Sequence, residues 1–185
     1  MLGVYLLVML SKMYINIMEF LLRLPNELDG YELHKLVERA GKLDTNSIYC
    51  NLLQFSHFAD TSIVAESGDR MVGSITGYRL PTKPDTLFVW QVAVDPDYRG
   101  QGLASNMLKA LAKRLVDQGV THIETTITQD NLASRKLFTR FFEKAGASFT
   151  SEPYFESDTH FQRKADTEYL YRSDLSQLGG GSNFK

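Results

Sequence analysis

Apolar and polar residues alternate from Tyr14 to Leu24, a period-two pattern that predicts a first strand. Pro25 and Asn26 break it, and Asp29 stands where it would cap a following helix. Leu33, Leu36, Val37 and Ala40 recur at helical spacing, and Gly41 closes that segment. From Asp44 to Phe58 polar and aromatic residues take turns, which predicts a short helix with loops. Thr61 to Glu66 and Arg70 to Arg79 read as strands around a turn at Ser67-Gly68-Asp69. Thr86 to Val94 is almost continuously apolar, the pattern of a central strand buried on both faces. Leu103, Met107, Leu108, Leu111 and Leu115 line one face of a helix over Gly100 to Val116, which Gly119 stops. His122 to Thr128 reads as a strand, Leu132 to Ala145 as a second amphipathic helix ended by Gly146. Ser148 to Tyr154 and Glu168 to Arg172 read as closing strands around a variable loop. Strands first, then alternating helices and strands, predict an α/β (α+β) fold with a mixed sheet.

A chain of 185 residues with 43% hydrophobic residues has room for one domain with a sizeable core. It has no internal repeat and no inter-domain linker. The expected organisation is an N-terminal extension over 1–13, a single domain over 14–175 and a flexible tail over 176–185, rich in glycine at Gly179-Gly180-Gly181. The apolar start, Met1 to Leu10, is too short to span a bilayer and lacks the basic flank and cleavage site of a signal peptide. A net charge of -2 supplies no electrostatic reason to bind nucleic acid or an anionic membrane, so a small molecule is the expected partner. Cys50 is the one cysteine, so no disulfide forms within the chain, and no Cys/His cluster has zinc-ligand spacing. No metal is expected, and the cysteine usage fits a reducing cytoplasm. His34, His57, His122 and His160 show no paired spacing and read as structural or solvated.

The segment that carries chemistry runs Val92-Ala93-Val94-Asp95-Pro96-Asp97-Tyr98-Arg99-Gly100-Gln101-Gly102-Leu103-Ala104. A buried strand passes through a turn into a glycine-rich loop, and then a helix begins. Glycines remove the side chains that would hold a ligand off the backbone. The first amides of a helix have no internal partner, and with the helix dipole they suit an anion such as a pyrophosphate. Arg99 adds a fixed positive charge. A tight turn at a helix start is the bland alternative. The complete Arg-x-x-Gly-x-Ala spacing, its place between strand and helix, and a second motif at Asn131-Leu132-Ala133-Ser134-Arg135-Lys136-Leu137-Phe138 favour the ligand site.

In these segments the chain resembles the GNAT superfamily of acetyltransferases over residues 14–172. The resemblance implies a mostly antiparallel central sheet flanked by helices, with a splayed central strand pair. It implies acetyl-CoA as co-substrate, with Arg99, Gly100, Gln101, Gly102, Leu103, Ala104 and Ser105 at the pyrophosphate. It further implies Val92, Ala93 and Val94 along the pantetheine arm, and Asn131, Ser134 and Phe138 beside it. Asn131 equally suits a helix N-cap. The family often has a tyrosine, the usual proposed acid for the departing thiolate, where this chain has Phe138, which has no proton to give. Tyr169 and Tyr171 are candidates by residue type, as are sheet tyrosines without a role.

Further stretches resemble, within the superfamily, the family that acetylates the side-chain amine of L-2,4-diaminobutyrate in ectoine synthesis. They are Leu43 to Tyr49, Phe58 to Ser62, Gly77 to Arg79, Asp85 to Val94, Glu124 to Thr128 and Asn131 to Ser134. That likeness implies Asp44, Tyr49, Trp90 and Glu168 as substrate-binding residues, a homodimer and a role in osmotic stress. The bland readings are a helix cap for Asp44, a core aromatic for Trp90 and a surface charge for Glu168. Arg79 reads as a solvated loop residue. For direct attack of the amine on the thioester, the backbone amide of Val92 is the expected oxyanion donor, and Glu124, or Asp44, a base acting through water. Cys50 is not expected to act as a nucleophile. Three other readings stand beside this one: an acetyltransferase for another small amine, a non-catalytic sensor that binds acetyl-CoA, and a structural or interaction domain with no ligand, against which the intact glycine-rich loop argues.

Overall fold

The structure, a computed structural model, describes residues 20–175. The expected extension, the tail and the part of the first strand before residue 20 lie outside the described residues. Seven strands form one sheet in the order β1-β2-β3-β4-β5-β7-β6. They are β1 (Leu21–Arg23), β2 (Ile63–Ser67), β3 (Arg70–Leu80), β4 (Lys83–Val94), β5 (His122–Thr128), β6 (Phe149–Phe155) and β7 (Glu168–Asp174). Every neighbouring pair is antiparallel except β4 with β5. The four helices described are α1 (Gly30–Ala40), α2 (Ile48–His57), α3 (Leu103–Val116) and α4 (Leu132–Lys144).

Helices α3 and α4 cover one face. Their Leu103, Met107, Leu108, Leu111, Phe138 and Phe142 bury against Ile75, Leu87, Val89, Ile123 and Ile127 of the sheet. Burial of this kind is the main stabilising term of the fold. Helices α1 and α2 cover the N-terminal half of the other face, where Leu33, Leu36, Val37 and Phe55 meet Val64, Met71 and Ala93.

Asp29 does stand at the N-cap position of α1, but its side chain does not cap the helix. Its carboxylate accepts both terminal nitrogens of Arg23 at 2.7 Å and the Asn26 amide at 2.8 Å. Asn26, whose side chain accepts from the Leu28 amide at 2.9 Å, caps the preceding 3-10 turn instead. The ion pair with Arg23, which also meets Glu66, outcompetes the cap because it is charged at both ends.

Strand β4 departs from the expected uniform burial. Thr76 faces Gln91 while Gly77 faces Val89, so Trp90 is an extra residue, a bulge. Before the bulge Leu87 and Val89 point to the α3/α4 side; after it Val92 and Val94 do. The inserted residue shifts the alternation by one and leaves Trp90 43% exposed.

Candidate active site

Strands β4 and β5 pair only through Thr86–His122, Leu87–Ile123 and Phe88–Glu124, and then separate. At the fork the Thr125 hydroxyl donates to the Val89 carbonyl at 3.1 Å, replacing a ladder bond. Beyond it, the backbone groups of Trp90–Val94 that face β5 have no strand partner among the described residues. Such a bare edge can accept an extended ligand as an added strand. Val92, Ala93 and Val94 therefore lie where a pantetheine-like chain would pair.

The loop after β4 is built by Asp95. Asp95 is 1% exposed. Its carboxylate takes Arg39 at 2.9 Å, Arg70 at 2.6 Å and the Asp97 amide at 3.2 Å. Burial alone would push its carboxyl up, but the two guanidiniums and the amide outweigh that and hold it below the ordinary value. An aspartate directly before Pro96 is a turn-starting signal that was available in the sequence. Arg99 donates to the carbonyls of Val94 at 3.2 Å and Ala40 at 2.5 Å, locking the strand end to α1. A guanidinium has five N–H groups, so donors remain for an anion.

Gly100 and Gly102 adopt φ of +75° and +79°, and a Cβ on either would meet nothing within 4 Å. Backbone conformation and open space for a ligand, not packing, select glycine here. Gly102 is the N-cap of α3 and no side chain caps that helix. The Leu103 side chain is buried, and the amides of Leu103, Ala104 and Ser105 are among the first of the helix, which have no partner within it. The Gln101 amide folds back onto the Asp97 carbonyl at 3.0 Å. These features fit a pyrophosphate. Asn131 caps α4 by accepting from the Ser134 amide at 3.1 Å, which realises its structural reading.

The other face of the fork is aromatic and acidic. Tyr78 packs on Phe58, Phe88 and Trp90, with ring centroids 5.6, 5.4 and 6.2 Å apart. Burial, and then Tyr154, push the Tyr78 hydroxyl above its ordinary value. The Gln91 side chain ties the loop between α1 and α2 across the sheet through the Asp44 carbonyl at 3.0 Å. That loop sets Asp44 near Glu168. Burial pushes the Glu168 carboxyl up, a hydrogen bond from Thr126 opposes this, and Asp44 and Asp130 add to the rise. Oε2 of Glu168 is buried without a hydrogen-bond partner among the described residues. The Asp44 side chain plays no cap, since Ser47 caps α2 by accepting from the Cys50 amide at 3.1 Å. Tyr49, in the first turn of α2, is 69% exposed. Asp130, Thr126 and Tyr78 belong to this group only through tertiary placement, and no spacing in the sequence points to them.

Four residues singled out from the sequence are engaged otherwise. Glu124 stands at the root of the fork, but its buried Oε1 is bound by Arg172 at 2.9 Å and Lys83 at 3.3 Å, so it is an ion-pair residue rather than a free base. Phe138 is 1% exposed in the core beside Phe142, with a centroid distance of 6.1 Å. Tyr169 and Tyr171 line a cavity of about 410 Å³ with Ile127, Gln129, Arg135 and Ser151. No residue of β4 or of the glycine loop lines it.

The comparisons with known proteins agree with this geometry. The acetyltransferase (GNAT) family matches residues 28–143. The chain is 47% identical over 148 residues to an L-2,4-diaminobutyric acid acetyltransferase of Methylotuvimicrobium alcaliphilum, covering 80% of this chain and 86% of the relative. It is 43% identical over 153 residues to that of Vibrio cholerae, covering 83% and 88%. The diaminobutyrate acetyltransferase of Paenibacillus lautus, solved with L-2,4-diaminobutyric acid and coenzyme A, superposes with a TM-score of 0.79 at 36% identity, covering 85% of this chain and 96% of that one.

Proposed function

We propose an activity from one premise: the chain belongs to the acetyltransferase (GNAT) family. It is an acetyl-CoA-dependent N-acetyltransferase, and its acceptor is the side-chain (4-) amine of L-2,4-diaminobutyrate, giving N4-acetyl-L-2,4-diaminobutyrate for ectoine synthesis. The observation that carries the reading is Glu168, a half-buried carboxylate with an unsatisfied oxygen and two like charges nearby. Such a group lacks a cation. A diammonium substrate supplies one, and its binding relieves repulsion that the free protein bears.

Acetyl-CoA supplies the thioester. Its pyrophosphate meets the amides of the Gly100–Ser105 loop, beside Arg99, and its pantetheine arm pairs with Val92–Val94. Trp90 and Tyr78 form the aromatic wall of the amine site, and Trp90 offers a ring face to the ammonium. Asp44 binds the second amine, and the exposed Tyr49 hydroxyl closes that side. Glu168 holds the reacting amine and takes its proton. It is better placed for this than Glu124, whose carboxylate Arg172 and Lys83 already hold. The free amine attacks the thioester carbonyl, the amide of Val92 stabilises the oxyanion, and coenzyme A leaves as thiol, protonated by water because Phe138 brings no hydroxyl to the site.

Exposed Phe149, Tyr154 and Phe155 on the edge strand β6 support a homodimer. The single free cysteine supports a cytoplasmic setting, and a role in osmotic stress follows from the product. No helix among the described residues is long and apolar enough to cross a membrane. Asp44→Ala and Glu168→Ala are expected to raise KM for the amine by at least ~10-fold, and KM for acetyl-CoA by much less. Equal rises in both constants would remove these residues from the amine site.

A further inference from the structure

Across β5 and β7, Thr128 faces Glu168 and Thr126 faces Leu170. Thr126 and Glu168 are therefore diagonal neighbours on one face of the sheet, the spacing at which side chains of adjacent strands reach each other. A hydrogen-bonding influence of the Thr126 hydroxyl favours the ionised form of the Glu168 carboxyl. Oε2 of that carboxyl is buried and has no hydrogen-bond partner among the described residues. Glutamate has three rotatable side-chain bonds, and repulsion from Asp44 and Asp130 would favour its turning away. Threonine is β-branched and stiff at χ1, so on a strand its hydroxyl is a fixed anchor.

We propose that Thr126 is a positioning residue for Glu168, holding the carboxylate so that Oε2 is the acceptor for the substrate ammonium. The proposal rests on the reading of Glu168 as the amine-binding carboxylate. The charged groups around Glu168 are few. Asp44 approaches from the α1–α2 loop and Asp130 from the turn after β5. Arg172, on the same face of β7, is bound to Glu124, which also takes Lys83. From β6, Phe155 pairs opposite Glu168 and brings no charge, while the exposed Glu152 stands opposite Leu170 on the same face and adds a further negative charge. The Thr126 hydroxyl thus opposes burial and these like charges in keeping the carboxylate ionised. Without it, Glu168 holds its proton to higher pH.

The test is kcat/KM for diaminobutyrate against pH in Thr126→Val, which keeps shape and loses the donor, and in Thr126→Ser, which keeps the donor. The acid limb is expected to move to higher pH in Thr126→Val, with a roughly tenfold loss near neutrality, and to return in Thr126→Ser. Acetyl-CoA affinity is expected to stay unchanged, which shows that the variant is folded; Thr126→Ala serves where valine does not fold. Added to Glu168→Gln, Thr126→Val is expected to cause no further loss. A wild-type pH profile in Thr126→Val, while Glu168→Gln is impaired, would overturn the positioning role alone. Wild-type kcat/KM in Glu168→Gln would overturn the reading beneath it.

Discussion

Glu168 shows how function and stability oppose each other at one residue. Its carboxyl is raised by burial and by neighbouring carboxylates, so its ionisation works against folding. The stability it contributes is present below its unfolded pKa and is lost as pH rises through its folded one. Glu168→Gln should therefore raise the melting temperature of the free protein at neutral pH, by up to ~2 °C, while impairing turnover of the amine. The gain should vanish in acid, where the carboxyl is protonated, and thermal unfolding at the two pH values checks the sign. The resemblance singles out Asp44, Trp90 and Glu168 for the proposed amine site, because a family motif carries position as well as type. The residues that tune them escaped notice. Thr126 reads as one more β-branched strand residue and Asp130 as a turn residue, and only the register of β5 on β7 brings Thr126 beside Glu168.

Among elements, the loop from Asp95 to Gly102 joins fold to function. Gly102→Ala should cost about 1 kcal/mol because φ is +79°. It should raise KM for acetyl-CoA and leave KM for the amine unchanged, a split that steady-state kinetics reads directly. Asp95→Ala should cost about 2 kcal/mol in urea unfolding, because it removes a buried carboxylate bound by the partly exposed Arg39 and Arg70. The glycine loop was legible because its spacing and its place between strand and helix are local facts. The Trp90 bulge was not. A bulge is a relation between two strands, and Thr86–Val94 by itself looks uniformly apolar. The helix over Ile48–His57 was read as partly loop because its buried face includes Asn51 and Gln54, which blurs the apolar period.

At the scale of the molecule, Asp29 and Asp95 tie separate elements together, β1 to the start of α1 and the end of β4 to α1 and β3. In each, burial would raise the carboxyl, but arginine partners and backbone amides bring it below its ordinary value. Their stabilisation is present above the unfolded pKa and is lost as pH falls through the folded one. Acid unfolding should accordingly be steep below ~pH 4, and shallower in Asp95→Asn at matched neutral stability. The mixed sheet was legible from the succession of patterns. The insertion of β7 between β5 and β6 was not, since nothing in a strand's own alternation states its neighbour. That insertion sets Glu168 next to β5 and so completes the proposed amine site.

The most direct test of the assigned reaction is thiol release from acetyl-CoA with L-2,4-diaminobutyrate set beside ornithine, lysine, spermidine and a peptide, and the product mapped by NMR. The account predicts rapid turnover with diaminobutyrate alone, acetylated on the side-chain amine. Preferred turnover of another amine, or acetyl-CoA binding with no turnover of any, would contradict it.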